Sequence, residues 1–180
     1  QSQLDVNVTA VMQFTRAALP SMIAGAKGSV INVASVAGLM SGPGLGPYNA
    51  AKHGVVAIME TLYLEMEREP DTNVGVSVLC PGVVNTNITT GQRNRPEHLK
   101  RAKKSGAAGK DAQRRNAAIA AALADGMDPA EVAACVIDAN KNGQFWVLSH
   151  PEHLEDIEHR NNSLHTLTNP TIHTSFTDGE

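Results

Sequence analysis

Two short β-branched runs, residues 29–35 (SVINVAS) and 74–79 (VGVSVL), stand either side of a stretch with helical periodicity, and this rhythm constrains the fold most. Apolar runs of this length, bounded by Gly25 and Gly28 before the first and by Pro81-Gly82 after the second, read as buried strands. Between them Ala51, Val55, Ile58, Met59, Leu62 and Met66 fall on one face of a helix expected over 48–67, which Pro70, Asp71 and Asn73 end. Strand, loop, helix, strand is a βαβ unit, which implies an α/β fold with a parallel sheet and a right-handed crossover. Upstream, Leu4, Val8, Val11, Met12, Leu19 and Met22 predict a helix over 4–22, with Pro20 straining its last turn. Downstream, Asp128-Pro129-Ala130-Glu131 has the form of a helix start, with a capping carboxylate and proline in the first turn. That helix should run to about Asn140 and lead into a last strand over 144–149 (QFWVLS).

Composition narrows the function classes. Hydrophobic residues make up 42% of the 180, which excludes a disordered chain. A net charge of −3 and 3% aromatic content argue against a nucleic-acid partner and against attraction to an acidic membrane. Nothing in the sequence is long and apolar enough to cross a membrane, and the start shows no signal-peptide pattern. Cys80 and Cys135 fit neither a metal spacing nor a disulfide framework, so a reducing, cytoplasmic setting is expected. His150, His153, His159 and His165 follow no metal-ligand spacing and read as part of a polar tail over 150–180, so no metal is expected. Residues 93–115 hold nine Lys or Arg against two acids, which reads as a solvated face or, alternatively, as a lid over an anionic substrate.

Three residues form the chemical constellation. Tyr48 and Lys52 sit at i and i+4, one above the other on a helix. Ser35 ends a strand 13 positions before Tyr48, so all three can meet at the sheet edge where parallel α/β folds bind ligands. A free tyrosine titrates near ~10, too high for a base at neutral pH. One ammonium at ~4 Å, in an effective dielectric of ~20, contributes about 4 kcal/mol, roughly three pK units. Lys52 beside Tyr48 would thus make an acid/base pair, with Ser35 donating to a substrate oxygen. The plainer alternative is a surface Tyr–Lys pair and a serine that only ends a strand.

The segments DVNVTAVMQFTRAALPSM (5–22), GSVINVASVAG (28–38), YNAAKHG (48–54) and VSVLCPGVVNT (76–86), in this order and spacing, resemble the single-domain short-chain dehydrogenases/reductases. The resemblance implies a Rossmann-like, doubly wound parallel sheet and an NAD(P)-dependent oxidoreductase interconverting an alcohol and a carbonyl. It implies that Tyr48 is the general acid/base and that Lys52 lowers its pKa and holds the nicotinamide ribose. It further implies that Ser35 orients the substrate oxygen and that Asn7 holds a water of the proton relay. Pro81, Gly82, Val84 and Thr86 match the segment that contacts the nicotinamide. The resemblance also implies NAD or NADP as cofactor, a small alcohol or carbonyl as partner, and a homodimer or homotetramer for the full-length protein.

The family's opening strand, glycine-rich turn and helix, which hold the pyrophosphate, have no counterpart here. Gly42, Gly44 and Gly46 precede Tyr48, where the family has its substrate loop. The expectation is one incomplete dinucleotide-binding-type domain. Its parts are a catalytic half over 1–92, a substrate lid over 93–127, the last helix and strand over 128–149, and the polar tail. This 180-residue chain should itself be inactive, and the competing reading is a non-catalytic fragment that at most mediates protein association.

Overall fold

The computed structural model describes residues 2–94, 96–99 and 106–172. They group into two compact units, one formed by the chain up to Gly82 together with the part from Ala134 onward, the other by Val83–Ala133.

The first unit is built on three parallel strands in the order β1 (Gly28–Val33), β2 (Val74–Leu79), β3 (Trp146–Val147). Gly28 pairs with Val74 and Val33 with Leu79, and Val78 and Leu79 pair with Trp146 and Val147. β2 has a neighbour on both sides, so Val74, Val76, Val78 and Leu79 are all buried, as an unbroken apolar run requires. The crossover between β1 and β2 is the helix α3 (Gly46–Glu67), which lays Val55, Val56, Met59 and Leu62 on the sheet to make the core.

Ahead of β1 come α1 (Ser2–Leu4), a π-helical turn at Asp5–Thr9, and α2 (Ala10–Ala24). Val11, Leu19 and Met22 pack against the core cluster. Pro20 lies inside α2 and is exposed, so its missing N–H costs no buried partner. β3 is shorter than its sequence pattern. The Val78 and Cys80 N–H groups donate to the Phe145 and Val147 carbonyls, both at 2.8 Å, while the Gln144 carbonyl accepts from the Ser77 hydroxyl at 2.8 Å and the Trp146 carbonyl from the Gln144 side chain at 2.6 Å. The histidine-rich stretch after it forms a helix, α6 (Leu154–His165), with Asp156 buried.

The second unit holds α4 (Gly106–Ala124) and the start of α5 (Pro129–Lys141), which ends in the first unit. Asp128 caps α5 as expected, its side-chain oxygen accepting from the Ala130 N–H at 2.7 Å. Of the basic segment 93–115, residues 95, 100 and 101–105 lie outside the described residues.

Candidate active site

Pairing of β1 with β2 continues past the strand ends. The Ala34 N–H donates to the Leu79 carbonyl at 2.7 Å and the Val36 N–H to the Pro81 carbonyl at 3.0 Å. This sets Ser35 beside Pro81-Gly82 at the C-terminal ends of parallel strands, the edge where such sheets bind ligands. Ser35 starts a short turn at Val36–Gly38, its Oγ accepting from the Ala37 N–H at 3.1 Å. The Ser35 hydroxyl donates to the Pro81 carbonyl at 3.4 Å, long enough to be exchanged readily for another acceptor.

That turn presses against α3 at Gly38, where a Cβ would lie 2.7 Å from the Lys52 main-chain oxygen. Only glycine permits this approach, and it brings the Ser35 turn up to the helix that carries Tyr48 and Lys52. Lys52 is 8% exposed. Its Nζ donates to the Val33 carbonyl at 2.9 Å and lies over the Tyr48 ring, 5.8 Å from the centroid, within range of a cation–π attraction. Burial holds the Lys52 ammonium below its ordinary pKa, and only the negative charge of an ionised Cys80 would act the other way. Cys80, at the end of β2, is pushed up to about 11 by burial, against a hydrogen bond from the Ser35 main chain. It therefore stays a thiol, which rules it out as a nucleophile at neutral pH.

Ser35, Tyr48, Lys52, Pro81 and Gly82 thus gather in one unit. Asn7 stands in the π-helical turn, and its side chain donates to the Gln3 carbonyl at 3.1 Å and to Gln3 Oε1 at 3.0 Å, not to Tyr48 or Lys52. The turn does reach α3, since a Cβ on Gly54 would lie 3.2 Å from Val8. Val84 and Thr86 belong to the other unit, where Val84 bridges Met127. Asn49 is a participant that residue pattern alone did not reveal. It is buried, donates to the Gly42 carbonyl at 3.2 Å, and so ties the glycine loop to the first turn of α3, while its Oδ1 has no partner among the described residues. A cavity of about 620 Å³ lies between α3, β3 and α6, with Cys80, Leu148 and Ile157 in its wall, and none of Ser35, Tyr48 or Lys52 lines it.

A parallel sheet with a crossover helix and polar residues gathered at the strand ends defines a Rossmann-like α/β protein. Comparison with known proteins narrows the class. The family model described as short chain dehydrogenase matches residues 1–97. "Dehydrogenase/reductase SDR family member 4" of Oryctolagus cuniculus is 38% identical over 86 residues, covering 48% of this chain and 32% of the relative. A "3-oxoacyl-[acyl-carrier-protein] reductase" of Synechocystis sp. is 36% identical over 89 residues, 49% of this chain and 35% of the relative. Among solved structures, a short chain dehydrogenase/reductase from Burkholderia phymatum in complex with NAD superposes with a TM-score of 0.81 at 35% identity. That match covers 92% of this chain and 58% of the other. The chain belongs to the short-chain dehydrogenase family. It spans about a third of the length of these curated relatives.

Proposed function

We propose that this chain supplies the catalytic residues of an NAD(P)-dependent oxidoreductase that interconverts an alcohol and a carbonyl. The observation that carries the reading is the seat of Lys52: a buried ammonium over the Tyr48 ring, anchored at the strand end beside Ser35 and Pro81. Burying a cation is costly, and no carboxylate pairs with Lys52 among the described residues. A stability role does not account for it, while an electrostatic role toward Tyr48 does.

The residues fit one end of a dinucleotide. Lys52 uses one of its three N–H donors on Val33, leaving two that suit a ribose diol. Pro81 and Gly82 form the facing wall, with Val84 and Thr86 next along the chain. When bound, the nicotinamide supplies or accepts the hydride. In the reducing direction Tyr48 gives its hydroxyl proton to the carbonyl oxygen as the C–O bond becomes an alcohol. Ser35 gives up its long bond to Pro81 and donates to the same oxygen. Lys52 stabilises the tyrosinate left behind, and Asn7, on the π-helical turn beside α3, serves the relay that restores the proton. Either NAD or NADP fits this end equally.

Tyr48→Phe keeps the ring and removes the proton. In the protein that carries these residues, kcat should fall by about 10²–10⁴-fold with the fold unchanged. Near-normal turnover of this variant would sink the reading.

Assembly belongs to the same proposal. α2 and α3 leave an apolar groove of about 570 Å³ between Met12, Leu19 and Ile23 on one side and Ile58 and Leu62 on the other. A two-fold axis would cover this face with its own copy, giving a homodimer or homotetramer.

A further inference from the structure

The Pro81-Gly82 corner is gripped from a second side, by the residues that follow β3. The Gly82 N–H donates to His150 Nδ1 at 3.1 Å, and the Ser149 hydroxyl lies 2.9 Å from the same nitrogen. A main-chain N–H can only donate, so Nδ1 is an acceptor and the ring proton sits on Nε2. The Ser149 hydroxyl can then only share the single Nδ1 lone pair with the Gly82 N–H. His150 is 6% exposed, so this arrangement is sheltered from water. A Cβ on Gly82 would lie 2.8 Å from His150 Cγ and 2.7 Å from His153 Nε2, so two imidazoles clasp the corner and leave no room for a side chain. His153 is braced in turn by the buried Asp156, 4.0 Å from its Nδ1.

We propose that His150 is a positioning residue: as the uncharged Nε2–H tautomer it latches Gly82 through Nδ1, fixing the corner that faces the nicotinamide. Glycine is the residue with the widest backbone freedom, and a corner built on it needs an external hold to keep one shape. A corner fixed in advance spares the nucleotide the cost of ordering it, so the latch acts on cofactor affinity more than on the chemical step. The geometry stands by itself; its consequence for the cofactor rests on the oxidoreductase reading above.

The latch is tested by NMR on protein labelled with ¹⁵N at histidine and glycine. His150 should show an acceptor-type Nδ1, a protonated Nε2 and a scalar coupling from the Gly82 N–H across the bond to Nδ1. A protonated Nδ1, or no coupling in folded protein, overturns the latch. His150→Phe keeps a ring without the acceptor, and exchange of the Gly82 amide should quicken about tenfold or more while Val76 stays protected. His150→Asn, whose side-chain oxygen can stand where Nδ1 does, should restore protection. Unchanged Gly82 exchange in a folded His150→Phe protein overturns the proposal. In the active protein His150→Phe should raise the nucleotide KM about tenfold with a smaller change in kcat, and His150→Asn should recover most of it. An unmoved KM overturns the positioning role. Absence of any dehydrogenase activity in a protein that carries these residues together with a glycine-rich nucleotide-binding segment would instead count against the oxidoreductase reading, and the NMR result would still decide the latch.

Discussion

At the scale of single residues, Lys52 and Cys80 are where stability and chemistry part company. Both are buried, and burial disfavours each group's charged form, lowering Lys52 and raising Cys80. Lys52→Met keeps the apolar stem and removes the buried cation. The Val33 carbonyl it abandons belongs to a residue 55% exposed and can turn to water. The urea midpoint should therefore hold or rise, by up to about 1 kcal/mol in stability, while activity is lost. A large drop in the midpoint would show that Lys52 holds the fold together. Cys80 keeps its proton to about 11 in the folded chain against an ordinary 9.0. Its contribution is complete below pH 9 and is lost as pH rises through about 11, because the unfolded chain ionises first. Lys52 has the opposite sign in the alkaline range: its folded pKa lies below 10.5, so its share of stability grows as pH climbs towards that value. Cys80→Ala should thus flatten the alkaline loss of stability, read as the slope of urea midpoints with pH. Iodoacetamide near neutral pH should label exposed Cys135 and spare Cys80 until the protein is unfolded. Equal labelling of both in the native state would contradict the buried thiol.

At the scale of elements, legibility followed burial. The run VGVSVL became β2 residue for residue, since a central strand shielded on both faces has the least ambiguous pattern. The strand expected over 144–149 is two residues long, with main-chain bonds to β2 from Val78 to the Phe145 carbonyl and from Cys80 to the Val147 carbonyl. α6 was hidden because Leu154 and Ile157 are few among charged and histidine residues, and only packing reveals that Asp156 is buried. That Ser35, Tyr48 and Lys52 meet at one strand end was legible through motif and spacing. The His150–Gly82 bond, joining positions 68 apart, was not. The π-helical turn at Asp5–Thr9 is likewise invisible in a pattern that tolerates one extra residue per turn. Outer helix faces follow the same logic in reverse. Leu62, at the bottom of the α2–α3 groove, is 5% exposed and belongs to the core, whereas Met12 and Ile23 on the groove's other side are 53% and 37% exposed. If the α2–α3 face is the two-fold interface, light scattering at micromolar concentration should give a dimer or tetramer. Ile23→Glu together with Met12→Glu should then shift it to monomer, and a monomer before substitution would refute the assembly.

At the scale of the whole molecule, the question is what these 180 residues can do unaided. A dinucleotide is held mainly by main-chain amides at a helix start after a glycine-rich turn. The glycine-rich loop present here leads instead into α3, whose first turn holds Pro47, which has no N–H. At the open side of the sheet, β1 pairs only with β2 among the described residues, and Lys52 caps its Val33 carbonyl. On the proposed reading, what remains for a nucleotide is the nicotinamide end: two donors on Lys52 and the Pro81-Gly82 wall. A few hydrogen bonds at about 1 kcal/mol each do not outweigh the roughly 4 kcal/mol or more lost in immobilising a ligand. Micromolar affinity requires about −8.2 kcal/mol and lies out of reach. Calorimetric titration of the 180-residue polypeptide with NAD and with NADP should therefore show no binding in the micromolar range, and dehydrogenase assays should show no turnover. Micromolar binding of either nucleotide would mean that the nicotinamide end suffices by itself, and that the contacts assigned to Lys52 and Gly82 are far stronger than their chemistry allows.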